Sequence, residues 1–223
     1  MNAPTGAALI LAVTRHELRI VLRNRWVLVY AAIFAVLTTA VSYFGLAVIE
    51  LTGFQGFERT SISLLNLVLY IVPLASMLIA VQSFSREGGT TDQLFCEPVS
   101  RAQIVWGKLL GLGLANALAT VLGFGFTGFL IASRVGLYGF RSYAVLVAFT
   151  ILVALAFSSL AALLTILARR SSRAYAVILV VWFVLVLLFD LAIIGLSFLL
   201  PEGYANRAAF AGLFANPVDA ARV

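Results

Sequence analysis

Residues 174–200 read AYAVILVVWFVLVLLFDLAIIGLSFLL, a run with a single charged side chain, Asp190. Four further apolar runs precede it, at 26–48, 62–84, 104–133 and 143–168. With a rise of about 1.5 Å per residue, about 20 residues cross a hydrocarbon core roughly 30 Å thick. Each run therefore reads as a transmembrane helix. The runs are continuous, not alternating in segments of about ten residues, which excludes a membrane-spanning barrel. The expected fold is all-α, a polytopic helical bundle with five transmembrane helices. The runs at 104–133 and 174–200 exceed the required length, so they should tilt or carry one end beyond the bilayer. Pro73, inside the second run, most simply kinks its helix.

Composition agrees with the runs. The chain is 63% hydrophobic and 11% charged, whereas soluble domains have roughly 45–50% apolar and 25% charged residues. The net charge of +6 comes from bases that flank the spans. They form no groove-tracking patch with interleaved aromatics, so no nucleic-acid partner is expected. Arg59, Arg134, Arg141, Arg207 and Arg222 fall on one side of the membrane, and the other ten of 15 bases fall on the other. That asymmetry makes the N-terminus cytoplasmic and the 201–223 segment extracytoplasmic. The lone Cys96 cannot form an intramolecular disulfide. The opening MNAPTGAALILAV lacks the basic n-region of a cleaved signal peptide. No internal repeat or low-complexity linker is apparent.

Ahead of the first span lies LILAVTRHELRIVLRNRW. Arg15, Arg19 and Arg23 recur every four residues and form one basic stripe on a helix. Leu11, Leu18, Val21 and Leu22 offer an apolar face. Residues 1–25 are therefore expected to form an amphipathic helix in the cytoplasmic interface, with its arginines near anionic lipid headgroups. The plainer reading is that these arginines only fix topology. His16, the single histidine, reads as a surface residue.

Between the second and third spans, EGGTTDQLFCEPVSRAQIVWGK holds three acids, two bases, a paired glycine and a proline. Thr90 or Thr91 could cap a short helix that reaches Cys96 and ends at Pro98, and Ser100 could cap the next helix. A short helix across the cytoplasmic face, showing Leu94 and Phe95, would be a docking surface; the alternative is a solvated connector. In the third span Gly107, Gly111, Ala115, Ala119 and Gly123 form a small-residue stripe. Such a stripe lets another helix approach closely, by default within the monomer and otherwise across a dimer seam. Asn116 and Thr120 lie near the stripe and are placed to bond across it. Asp190 should face protein or water, because an ionisable group deep in a span costs about 2.5–3.5 kcal/mol on insertion scales. It reads either as a proton or substrate site or as a structural hydrogen-bonded aspartate.

Several chemistries have no support. Gly107–Lys108 is followed by Leu109 and lacks the glycine five positions earlier, so no phosphate-binding loop is present. HExxH, GxSxG and paired-cysteine motifs are absent. One histidine, one cysteine and two methionines cannot line a soft-metal pathway. No catalytic residue, metal ligand or cofactor is expected in this chain.

RHELRIVLRNRW (15–26) and SREGGTTDQLFCEPVSRAQIVWGKLLG (85–111) resemble the start and the cytoplasmic coupling segment of type 2 ABC exporter permeases. VWFVLVLLFDLAII (181–194) and NPVD (216–219) are similar to permeases of the nitrous oxide reductase maturation system. The resemblance implies a multi-pass subunit of a bacterial or archaeal inner membrane. It would work as two permeases with two cytoplasmic ATPases, which hold the ATP and magnesium, beside a periplasmic copper-handling protein. The coupling loop would span 85–103, with Arg86, Glu87, Gly88, Gly89, Thr90, Leu94, Phe95 and Arg101 carrying the contact. The family has six transmembrane helices against the five here, which implies a chain truncated before the sixth. Two alternatives stay open: an ABC permease exporting a lipid, drug or polysaccharide, and an ATP-independent secondary transporter using Asp190.

Overall fold

The computed structural model of the chain describes residues 6–52, 56–85, 100–137, 139–168, 170–189, 191–192 and 195. The described residues form helices α1 (Gly6–Arg23), α2 (Arg25–Thr52), α3 (Gly56–Phe84), α4 (Arg101–Val135), α5 (Phe140–Ala168) and α6 (Ser171–Phe183). A π-helical turn, Val184–Leu188, continues α6. No strand occurs among them, so the fold is all-α, as the runs require.

Local signals set several boundaries. α4 opens on the expected cap: the Ser100 hydroxyl accepts the Gln103 N–H at 3.3 Å. The Gln103 side-chain oxygen accepts the Ser100 N–H at 3.0 Å, which completes a capping box. The helix ends at Gly136, whose φ of 81° lies in the left-handed region and whose N–H bonds the Ala132 carbonyl at 2.9 Å. A side chain there would be strained, so glycine lets the chain turn back toward α5. α3 runs through Pro73 as one helix.

Four helical segments are long and apolar enough to cross a membrane singly: Ser63–Phe84, Arg101–Ser133, Phe140–Ala168 and Ser171–Leu188. Gly6–Arg23 and Leu28–Tyr43, bent by 67° at the break between them, make a fifth when taken as one broken span. α4 has 35 residues, about 52 Å at about 1.5 Å each, so it outruns the hydrocarbon core.

α3 and α5 pack most extensively, followed by α1 on α4, and α2 lies against both α3 and α4. α2 and α4 run in the same direction, since Phe34 meets Gly123 and the Thr127 hydroxyl donates to the Thr38 hydroxyl at 3.1 Å. Phe34, Phe124 and Tyr143 stack edge to face at 5.3 and 5.7 Å, joining α2, α4 and α5. Thr120, Thr150 and Thr165 are buried, and each hydroxyl bonds the carbonyl four residues earlier in its own helix. These three hydroxyls are thus satisfied within their own helices. The outer faces are correspondingly apolar, with Leu122, Phe129 and Leu152 well exposed, as lipid contact demands.

Candidate functional site

α1 is amphipathic, but its buried face is not the leucine stripe read from the sequence. Arg15, Arg19 and Arg23 stand exposed in one row, and His16 is exposed beside them. Val13, Thr14, Glu17 and Val21 are buried. Val21 is thus the one expected apolar residue fully covered; Leu18 is partly buried, while Leu11 (69% exposed) and Leu22 stay outside. The cause lies on α4. A Cβ at Gly107 would stand 2.6 Å from Val13 Cβ, and one at Gly111 would stand 2.7 Å from Glu17 Cβ. Only glycine permits that approach, so the groove chooses the face of α1 that fits it. The small-residue stripe therefore serves packing within the monomer: Gly107 and Gly111 receive α1, and Gly123 receives Phe34 of α2.

At that contact three helices each contribute a polar group. The Ser83 hydroxyl, at the end of α3, donates to Glu17 Oε1 at 2.5 Å. Lys108 Nζ, on α4, donates to the Ser83 carbonyl at 2.5 Å and lies 3.7 Å from Glu17 Oε2. Both charged side chains are only 4% exposed. The ammonium also sits 5.5 Å from the Phe84 ring centroid, within cation–π range. A buried carboxylate survives such burial when its charge is matched and its lone pairs are occupied. About two turns of helix beyond Glu17 a second tie forms, as the Asn24 amide donates to Gln82 Oε1 at 2.7 Å. Asn24 occupies the break between α1 and α2, so α3 holds the bend as well as the ion pair.

Ser83 and Lys108 bracket the segment read as a coupling loop. Of its residues, Arg101 is described: it is exposed at the first position of α4. Arg86, Glu87, Gly88, Gly89, Thr90, Leu94 and Phe95 lie outside the described residues, as do Thr91, Cys96, Pro98 and Asp190. Asn116 is buried, and its amide donates to the Ser158 hydroxyl at 3.0 Å, a bond across to α5. Thr120 does not cross the interface; it bonds back to the Asn116 carbonyl at 2.7 Å. Among the described residues no three His, Cys, Asp or Glu side chains gather.

Sequence reasoning missed Glu17, Ser83 and Lys108 as a unit, though two carried a signal. Lys108 is the chain's single lysine, and Glu17 is the only acid in the first 49 residues. A lone carboxylate inside a basic stripe and a lone ammonium inside an apolar run each need a counter-charge. Nothing in the sequence says that each is the other's partner.

Comparison with known proteins adds a wider frame. Residues 11–214 match the family described as ABC-2 family transporter protein. The chain is 34% identical over 219 residues to the "Probable ABC transporter permease protein NosY" of Pseudomonas aeruginosa, covering 95% of this chain and 79% of that protein. The protein of the same name from Stutzerimonas stutzeri is also 34% identical, with the same coverage.

Proposed function

This chain belongs to the ABC-2 transporter family, and from that premise we propose that it couples ATP hydrolysis by a separate ATPase subunit to assembly of the copper centres of nitrous oxide reductase. The observation that carries the reading is the 34% identity to permeases named NosY, spread over 95% of the chain. The copper role rests further on the likeness of residues 181–194 and 216–219 to permeases of nitrous oxide reductase maturation. This multi-pass membrane protein would sit in the inner membrane with its N-terminus cytoplasmic, paired with a second copy and two ATPases that bind the ATP and magnesium.

In this mechanism the 85–103 segment docks on the ATPase. Arg86, Glu87, Gly88, Gly89, Thr90, Leu94, Phe95 and Arg101 form the contact, with charge and exposed apolar groups both used. Closure of the ATPases moves that segment, and the movement reaches the outer face through the bundle. A periplasmic copper-handling protein responds only in so far as its affinity differs between the two states of the bundle. Asn116 and Ser158 tie α4 to α5 at mid-bundle and would help the helices move together.

The test is the copper content of nitrous oxide reductase from a denitrifying host that lacks this gene. Complementation by the full-length gene should restore a copper-deficient enzyme, and charge reversal at Glu87 and Arg101 should not. Normally loaded enzyme in the deletion strain would remove the copper assignment. Full restoration by the reversed variants would remove the coupling residues.

A further inference from the structure

We propose that Glu17, Ser83 and Lys108 act as a latch that makes α1 and the two roots of the 86–99 segment one mechanical body. The segment leaves α3 just after Ser83 and enters α4 shortly before Lys108. Glu17, from a third helix, engages both roots: Oε1 takes the Ser83 hydroxyl, and Oε2 faces Lys108. The Lys108 ammonium closes the ring on the Ser83 carbonyl. Any displacement of the segment is thereby delivered to α1, and through the Asn24–Gln82 bond to the bend where α2 begins. The latch rests on the permease reading only for the source of that displacement.

Packing alone would not fix this register. Gly107 and Gly111 seat Val13 and Glu17, but apolar contacts are non-directional and hold a position less sharply than a bonded carboxylate does. A carboxylate whose two oxygens are held from two different helices permits one position only. Separating the pair would strand a charge among groups that offer it no water, which keeps the latch shut through small movements.

Two cysteines report the register. With Cys96→Ala as background, Ala12→Cys on α1 and Ala102→Cys on α4, both at exposed positions, carry spin labels on the full chain in lipid nanodiscs. The expected result is one narrow distance distribution for the unsubstituted latch, broadened in E17Q and in K108M. The neutral pair E17Q/K108Q, which strands no charge, guards against misfolding and should broaden it too. If E17Q/K108Q stays narrow, glycine packing sets the register and the latch is overturned. Equal distributions in all variants overturn it as well. A second readout separates the two readings. Co-purification of an ATPase with the unsubstituted chain from its host's membranes judges the permease role, and the distances judge the latch whatever that outcome. Where the ATPase is present, E17Q should keep it bound while copper loading of nitrous oxide reductase is lost.

Discussion

A carboxylate and an ammonium drawn out of water gain little from each other unless the remaining donors and acceptors are also met. The Ser83 hydroxyl and carbonyl meet that condition for Glu17 and Lys108. The consequence is an asymmetry between single and paired changes. Glu17→Ala or Lys108→Met alone should destabilise the protein by about 3–5 kcal/mol, because each strands its partner's charge. Glu17→Leu with Lys108→Met should cost far less than the two single losses added together. Unfolding midpoints in mixed micelles measure this directly. Additive losses would show that the two side chains act independently. At this scale the sequence was only half readable. The isolation of one lysine and one early acid can be seen in the chain, but their meeting depends on how three helices cross.

For a helix, length and apolarity could be read without knowing any neighbour. That is why runs at 62–84 and 143–168 agree with the apolar spans Ser63–Phe84 and Phe140–Ala168 to within a few residues, and why Ser100 could be named as a cap. The inward face of α1 could not be read, because the glycines of α4 select shape where an amphipathic stripe selects only apolarity. The π-helical turn Val184–Leu188 had no signal either; VLVLL is as suited to an α-helix. The glycines divide sharply by contact. Gly111→Leu must collide with Glu17 and the Thr14 carbonyl, 2.7 and 2.9 Å from a Cβ there. A Cβ added at Gly125 would meet nothing within 4 Å among the described residues. Gly125→Ala should therefore gain the helix propensity of about 1 kcal/mol that glycine forfeits, though less where the membrane already enforces the helix. Gly111→Leu should detach α1, seen as new protease cleavage between residues 6 and 23. Intact α1 in Gly111→Leu would contradict the observed packing.

The molecule as a whole is a bundle with one polar end bracketed by Ser83 and Lys108 and an opposite end marked by Leu137, 75% exposed between α4 and α5. In the orientation expected from the placement of the bases, the first of these faces the cytoplasm. With Cys96→Ala as background, a membrane-impermeant maleimide should label Ala7→Cys only in inside-out vesicles and Leu137→Cys only in right-side-out ones. The reverse pattern would invert the topology and take the 86–99 segment away from any cytoplasmic ATPase. The positive-inside expectation needs no tertiary detail, because it sums charges over loops, and the labelling pattern tests it. The role proposed for the 86–99 segment could be read only from its likeness to permeases, since docking on a second protein would leave no mark within this chain.

That the one lysine is buried at the junction of α1, α3 and α4 has a use in covalent chemistry. An amine-acylating reagent finds no other lysine side chain in the chain, and Lys108 is 3% exposed. The rate at which that single ε-amine is consumed becomes a clock for opening at the junction. It can be read by mass from the peptide that carries Lys108, in native membranes and with no residue changed.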